Sequence, residues 1–270
     1  MVKSHWTVGC VSYLNSKPLI ESVLSRRDIW VRFAVPASLS ELINSGAVDA
    51  AILPIVDYQT SRRKLLLVPA GAIASDGPTL TVRIFSRISP QNITRLHADT
   101  DSHTSVILAR LILREAYGAA PKLVPTSMSP GQRPQSDTQA LLLIGDKVVN
   151  AAPDTTEYPH QLDLGLEWKK LTGLPFVFAM WMMPVDAPDL RLAKILSDSR
   201  REGENMTDEL VDRYADRLGW PDDLARRYLT EHLTYAVTTQ CRRAVERFFQ
   251  LADKNGLLKA TRPIRYLELS

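Results

Sequence analysis

The feature that most constrains the fold is a regular alternation of apolar and amphipathic segments over residues 6–54. Residues 6–11 and 31–35 have the apolar character of short strands, and residues 48–53 are apolar at nearly every position. Near-continuous apolarity is the pattern of a strand that is buried on both faces, as in a parallel sheet. These three segments therefore predict neighbouring strands of one buried sheet.

Two helices are predicted between these strands. Pro18 suits the first turn of a helix, where its missing N–H costs no hydrogen bond. Ser38 and Glu41 have the spacing of a capping box, and Gly46 suits the end of the helix that follows. The resulting β-α-β-α-β order favours a parallel sheet with right-handed crossovers.

The rest of the chain is a mixed middle segment followed by a helical tail. Residues 71–78 are rich in turn formers, residues 125–139 have the composition of a loop, and the pattern is helical from Pro188 onward. Periodicity alone leaves several topologies open for this part. Further strands are expected at residues 80–86, 95–98, 140–144 and 176–182.

Composition places the chain among soluble globular proteins. Its 270 residues are 45% hydrophobic and 23% charged, and the net charge is +3. The basic pairs are scattered rather than clustered with aromatic residues, so neither nucleic acid nor a membrane is expected as a partner. Cys10 and Cys241 suggest neither a disulfide framework nor a zinc site. No apolar run approaches the ~18 residues that a membrane helix needs.

A short N-terminal stretch resembles a lipoprotein cleavage site at residues 7–10. Six residues precede it, and they include Lys3 and His5. A signal peptide needs an apolar stretch of about 7–15 residues at that place. The chain is therefore expected to be cytoplasmic.

Common motifs for nucleotides, metals and serine hydrolases are absent from the sequence. It contains no G-x-G-x-x-G, no P-loop and no G-x-S-x-G. The five histidines have no metal-ligand spacing, and residues 99–110 lack the glycine and glutamate of a calcium loop. No metal site is expected.

Two polar loops stand out at the start of predicted helices, at residues 12–16 and 102–105. Hydroxyl and amide groups beside free backbone N–H groups suit an anion. Taken alone, each loop is better explained by ordinary N-capping. Together, the two loops suggest a ligand with two anionic ends. Gly145 and Asp146, which follow a buried strand, form a third candidate that is also typical of an ordinary turn.

The opening segment, Val-Gly-Cys-Val-Ser-Tyr-Leu-Asn-Ser-Lys-Pro-Leu at residues 8–19, resembles the start of the chorismate dehydratase family of the futalosine route to menaquinone. The Tyr-Leu-Asn part and the Thr-Gly-Leu-Pro-Phe-Val part at residues 172–177 are the more specific ones. The resemblance covers nearly the whole chain. Further segments that agree in order are residues 46–54, 73–78, 101–105, 143–147 and 172–181.

The resemblance implies an α/β fold of the type II periplasmic-binding-protein class, with a ligand cleft between two lobes. One lobe would comprise residues 1–83 and 181–270, and the other residues 84–180. The implied reaction removes water from chorismate to give 3-[(1-carboxyvinyl)oxy]benzoate, without a cofactor. Chorismate would be the small-molecule partner, and a homodimer is left open.

Catalytic roles are expected for Asn15, Thr81 and Asp146. Thr81 stands where the family often has serine, so a hydroxyl is kept with a different rotamer preference. The expected substrate-binding residues are Tyr13, Ser16, Ser75, Asp76, Ser102, Thr104, Ser105, Gly145 and Phe176.

Chorismate has two carboxylates, and each is given a binding group. Thr104 and Ser105, with the N–H groups of their helix, are expected to bind one carboxylate. Asn15 and Ser16, with the helix that starts at Pro18, would orient the other end or the leaving hydroxyl.

The group that accepts the ring proton is left open between two hypotheses. In the first, the enolpyruvyl carboxylate of the substrate takes the proton, because these motifs contain no evident strong base. In the second, Asp76 or Asp146 acts as general acid or base with a shifted pKa.

Two other functions fit the same fold, since fold does not fix function. One is a non-catalytic solute-binding protein or ligand sensor. The other is the sister enzyme that makes dihydroxynaphthoate in the same pathway, whose opening motif differs from residues 13–15. The dehydratase is favoured over both.

Overall fold

Two mixed sheets of five strands each form the framework of the protein. The computed structural model describes residues 4–99, 102–126 and 137–269. Most of the loop predicted at residues 125–139 lies outside these ranges. The strands are β1 (Trp6–Cys10), β2 (Ile29–Phe33), β3 (Ala50–Pro54), β4 (Leu65–Ser75), β5 (Val82–Ser86), β6 (Arg95–Asp99), β7 (Lys122–Thr126), β8 (Ala140–Ile144), β9 (His160–Asp163) and β10 (Phe176–Pro184).

The helices cover both sheets and form most of the C-terminal third. The α-helices are α1 (Lys17–Ile20), α2 (Pro36–Asn44), α3 (Asp57–Thr60), α4 (His103–Tyr117), α5 (Lys147–Asn150), α6 (Leu164–Thr172), α7 (Leu190–Glu204), α8 (Thr207–Tyr214), α9 (Asp222–Arg227) and α10 (Thr239–Lys254). A short π-helix, Tyr228–His232, follows α9 directly.

The first sheet has the order β2-β1-β3-β10-β4. Strands β1, β2 and β3 are parallel, as the β-α-β-α-β pattern predicts. Every residue of β3 is buried, which confirms the expectation of a strand covered on both faces. Strand β10 enters between β3 and β4 and runs antiparallel to both.

The second sheet has the order β7-β6-β8-β5-β9. Here β6 runs parallel to β7 and β8, and β5 is antiparallel to β8 and β9. Each sheet therefore contains one strand, β10 or β5, that reaches it directly from the other sheet. The chain crosses between the sheets twice, after β4 and after α6.

We propose that the two lobes follow the membership of the two sheets. The first crossing then lies at residues 76–81, close to the predicted boundary after residue 83. The second lies between α6 and β10, because β10 already pairs with β3 and β4. This division transfers residues 176–180, predicted for the second lobe, to the first.

The turn-rich stretch predicted at residues 71–78 is wrong for its first half. Residues 71–75 belong to the long strand β4, which pairs with β10 through two irregularities in register. Gly71 lies in this strand for a steric reason, since a Cβ there would stand 2.7 Å from the Cδ2 of Leu19. Its presence reports close packing of a helix onto the sheet rather than a turn.

The capping box predicted at Ser38 and Glu41 is also wrong. Helix α2 begins at Pro36, and its N-cap, Val35, makes no side-chain hydrogen bond. Proline presets the helical φ and has no N–H to satisfy, so it starts the helix three residues earlier than a cap at Ser38 would. Ser40 is then free for another role, and its hydroxyl donates to the carboxylate of Asp57 in α3.

Within the described residues, no helix is both long and apolar enough to cross a lipid bilayer.

Candidate functional site

A cavity between the two sheets is lined by residues of both. Its walls are largely apolar and include Ile52 and Ile73 from one sheet and Val82 and Ile144 from the other. Among the described residues that line it, none carries a carboxylate, ammonium, guanidinium or imidazole group. Its polar lining consists of Tyr13, Asn15, Thr79, Thr81, Ser102, Ser105 and Tyr228.

The loop after β1 presents Asn15 to this cavity. The hydroxyl of Ser16 donates to the carbonyl oxygens of Val11 and Tyr13, both at 2.8 Å. Ser16 is fully buried, so its side chain shapes the loop instead of facing a ligand. This bracing fixes the neighbouring Asn15 at the wall of the cavity.

Asn15, Tyr228 and Thr81 form a hydrogen-bonded chain in the cleft. The side-chain amide of Asn15 donates to the phenol oxygen of Tyr228 at 3.2 Å, and the hydroxyls of Tyr228 and Thr81 are 2.7 Å apart. The amide oxygen of Asn15 is buried and accepts no hydrogen bond from any described residue. A buried acceptor without a partner is costly, so this atom is suited to a donor on a ligand.

Tyr228 was not among the residues predicted for the site. It begins the π-helix Tyr228–His232, a rare element that is frequent at functional sites. Its ring stacks on Trp220, with centroids 4.7 Å apart. Burial raises the pKa of the phenol, which therefore stays protonated and can donate. In the sequence it is one tyrosine in a helical tail, and no local signal separates it from a core residue.

Asp146 lies behind this chain and does not line the cavity. Its carboxylate accepts a hydrogen bond from Nε1 of Trp220 at 3.0 Å and another from the backbone N–H of Leu14. Burial raises the pKa of Asp146 to about 6. Nearby, the side-chain amide of Asn150 donates to the carbonyl oxygen of Leu218 at 2.8 Å. These contacts join the second sheet to the first lobe at one rim of the cleft.

The N-terminus of α4 supplies two further hydroxyls to the cavity. Ser102 is the N-cap, and its Oγ accepts from the backbone N–H of Ser105 at 3.3 Å and lies 3.1 Å from the hydroxyl of Ser105. Both serines line the cavity. Thr104 does not, because its fully buried hydroxyl accepts from the backbone N–H of Val56 at 3.2 Å.

A second rim contact joins α3 to α4. Nδ1 of His103 lies 2.8 Å from the carboxylate of Asp57, which is 2% exposed. The hydrogen bond to Asp57 is the main cause that raises the pKa of His103. Together with the contact between Thr104 and Val56, this pair holds the two lobes together at the rim near Ser102.

Besides Ser16 and Thr104, three more of the predicted substrate-binding residues lie outside the cavity. The hydroxyl of Ser75 is fully buried and donates to the carbonyl oxygen of Gly77 at 3.3 Å. Asp76 is exposed and pairs with Lys169 at 2.5 Å. Phe176 packs edge-on against Trp168 in the aromatic core. Of the remaining candidates, Gly145 and Tyr13 line the cavity side by side.

Asp76 instead borders a larger, open groove of about 730 Å³ beside the first turn of α10. The cleft is the better candidate for the functional site, because it combines polar groups from both lobes with an unpartnered amide oxygen.

The sequence matches, over residues 6–254, the model of a family described as menaquinone biosynthesis. The chain belongs to this family. A chorismate dehydratase from Thermus thermophilus is 32% identical over 239 residues, which are 83% of this chain and 87% of that relative. The family resemblance expected from residues 8–19 and 172–181 is confirmed.

Solved structures with low sequence identity show the fold of this family member. A structural-genomics protein from Archaeoglobus fulgidus is similar with a TM-score of 0.73 and 16% identity, covering 96% of this chain and 100% of that one. The periplasmic aliphatic sulphonate binding protein of Escherichia coli has a TM-score of 0.65 and 17% identity, covering 98% and 94%. The predicted two-lobed periplasmic-binding-protein-like fold is confirmed.

The rim pair of His103 and Asp57 predicts a pH-dependent stability. Its contribution is fully present below the ordinary histidine pKa of about 6.5 and is lost as the pH rises through the raised pKa of His103. Since His103 is about half exposed, we expect His103→Gln to cost about 0.5 kcal/mol at pH 6 and less at pH 8.5. Thermal unfolding at both pH values measures the difference. His160→Gln is the control, and an equal loss at both pH values would contradict the assignment.

Proposed function

We propose that the protein is a chorismate dehydratase, a carbon–oxygen lyase of menaquinone biosynthesis that needs no cofactor. It removes water from chorismate to give 3-[(1-carboxyvinyl)oxy]benzoate. The observation that carries this proposal is the unpartnered amide oxygen of Asn15 in a cleft whose described lining is uncharged. The chorismate dianion has one hydrogen-bond donor, its ring hydroxyl, and this acceptor is suited to it.

The two sides of the cleft supply different groups to the substrate. The hydroxyls of Ser102 and Ser105, with the N-terminal dipole of α4, bind one carboxylate. Asn15, held by Tyr228, receives the ring hydroxyl on the opposite side. The apolar walls exclude water, which protects a substrate that is prone to rearrangement.

The substrate itself supplies the base. The enolpyruvyl carboxylate takes the proton from the ring carbon next to the one that carries the hydroxyl. The C–O bond to that hydroxyl breaks, and the proton and hydroxide leave as water. Proximity alone contributes up to about 7–11 kcal/mol in favourable intramolecular reactions. The uncharged lining supports this route, as does the position of Asp76 on the outer surface.

Tyr228 and Thr81 act as polarising and orienting groups in this scheme. With Asn15 donating to its oxygen, Tyr228 directs its own proton toward Thr81. The amide plane of Asn15 is thereby fixed, and its free oxygen points at the substrate. A preorganised dipole of this kind stabilises developing charge without reorganising during the reaction.

We further propose that the protein works in the cytoplasm on this small molecule, as expected for a biosynthetic enzyme. The absence of a nucleic-acid partner and the homodimer stay predictions.

Incubation with chorismate, without added metal or cofactor, tests the activity directly. We expect a new aromatic product lighter by one water, detected by liquid chromatography with mass detection. Asn15→Asp keeps the size of the side chain but sets a negative charge against a dianionic substrate, so its kcat should fall by about 100-fold. Unchanged chorismate with a thermal shift would point to a solute-binding protein instead. If neither turnover nor a thermal shift is observed, the chorismate assignment fails and only the fold remains.

Tyr228→Phe removes the hydroxyl that joins Asn15 to Thr81. We expect kcat to fall by about 10- to 100-fold, because the amide of Asn15 loses its fixed orientation. Tyr235→Phe is the matched control, since the hydroxyl of Tyr235 is buried and has no partner among the described residues. Steady-state kinetics on both variants test the role of Tyr228. An equal loss of kcat in the two variants would remove Tyr228 from the mechanism.

The pH dependence of kcat/KM separates the two hypotheses for the base. The pKa of Asp146 is raised to about 6, so a base at this position would make the rate rise through pH 6. With the substrate's own carboxylate as base, Asp146→Asn should keep the shape of the wild-type profile from pH 5 to 8, within about threefold. A rise near pH 6 that disappears in Asp146→Asn would assign the base to this residue.

A further inference from the structure

The segment that carries Thr81 into the cleft contains a strained turn. The backbone N–H of Thr81 donates to the carbonyl oxygen of Thr79 at 2.8 Å, which closes a three-residue turn around Leu80. Leu80 has φ +66°, and it is the one non-glycine residue with positive φ among those the structure describes. A γ-turn of this hand is rare and strained for a residue with a Cβ.

The carboxylate of Asp163 holds this turn. Its Oδ1 accepts from the backbone N–H of Thr79 at 2.9 Å, and its Oδ2 accepts from that of Leu80 at 2.8 Å. Asp163 is buried, with 8% of its surface exposed. Two charge-assisted hydrogen bonds in a dry environment are strong enough to keep an unfavourable backbone conformation in place.

The same carboxylate fixes the turn to a rigid element. Asp163 is the N-cap of α6, and its Oδ1 also accepts from the backbone N–H groups of Gly165 at 3.1 Å and Leu166 at 3.2 Å. Close packing adds to this anchoring, since a Cβ on Gly165 would stand 2.5 Å from the carbonyl oxygen of Gly77. The crossing segment and the start of α6 therefore form one unit.

We propose that Asp163 is a positioning residue for the reaction, acting through the strained turn at Leu80. By holding this turn, it aims the hydroxyl of Thr81 at Tyr228 across 2.7 Å. Asp163 does not line the cavity, so it acts on the substrate through Thr81. This role rests on the proposed dehydratase function, in which Thr81 and Tyr228 orient Asn15.

The strain at Leu80 provides a selective test. Asp163→Asn keeps the side-chain size but turns an N–H₂ group toward backbone N–H donors, so the turn loses its anchor and relaxes. Glycine adopts positive φ without strain. Leu80→Gly should therefore restore the turn in the Asp163→Asn protein, whereas Leu80→Ala should not, because alanine keeps the Cβ that causes the strain.

Steady-state kinetics with chorismate measure these effects on five proteins: the wild type, Asp163→Asn, Leu80→Gly and the two double variants. We expect kcat of Asp163→Asn to fall by about tenfold or more with KM within about threefold. Leu80→Gly alone should stay within about twofold of the wild type. The Asp163→Asn/Leu80→Gly protein should recover most of the lost kcat, and the Asp163→Asn/Leu80→Ala protein should not.

A merely structural role predicts a different result. In that case both double variants would be as impaired as Asp163→Asn, or kcat per folded molecule would not change at all, and either outcome overturns the proposal. Where Asp163→Asn fails to fold, Leu80→Val replaces it, because a β-branched residue increases the strain at positive φ. A kcat of Leu80→Val equal to that of Leu80→Gly would then overturn the proposal.

A measurement without substrate separates this inference from the proposed function. Hydrogen exchange of the amides in residues 79–81 should be faster in Asp163→Asn than in the wild type. If the wild type does not turn over chorismate but exchange responds in this way, the dehydratase function fails while the anchoring of the turn stands. Unchanged exchange would overturn the anchoring itself.

Discussion

The hydroxyl of Tyr228 joins three distant stretches of the chain inside the cleft. It accepts from Asn15, in the loop after the first strand, and contacts Thr81, on the segment that crosses to the second sheet. Tyr228 itself comes from the C-terminal tail. Hydrogen bonds in a dry interior are electrostatically strong. The arrangement of the whole site therefore depends on the tail folding back over the cleft, where the stacking of Trp220 on Tyr228 fixes the ring.

The uncharged character of the described cavity lining has a physical logic for an anionic substrate. A buried cation would have to be desolvated, and this cost offsets part of its attraction to a carboxylate. Hydroxyls, an amide and a helix N-terminus provide directed donors, so they can distinguish one end of a small acid from the other. A nearby cation would also lower the pKa of the substrate's own carboxylate and make it a weaker base. An uncharged lining avoids this loss.

Local patterns predicted the parts of the fold that depend on local physics. The buried strand β3 and the polar loops at Asn15 and Ser102 follow from apolar runs and from turn chemistry. Thr104 and Phe176 were expected at the ligand, but the direction of a side chain depends on what packs against its element. Thr104 turns to Val56, and Phe176 to Trp168.

Contacts between residues far apart in the sequence could not be predicted from local patterns either, because they also depend on tertiary packing. Tyr228 lies far from Asn15 and Thr81 in the sequence, and only the tertiary fold brings them together. In the sequence, nothing local connects Asp163 with Thr79 or Leu80. Its hydrogen bonds to Thr79 and Leu80 appear only when the first crossing of the chain packs against the start of α6.

The contacts at the two rims of the cleft have a kinetic consequence. His103 pairs with Asp57 at one rim, and Asp146 accepts from Trp220 at the other. Where entry of a molecule or release of its product needs one rim to separate, that step has its own barrier. If chemistry is fast, the frequency of this opening limits the number of cycles per second. Selection for a faster catalyst would then act on rim residues that never touch the reacting atoms.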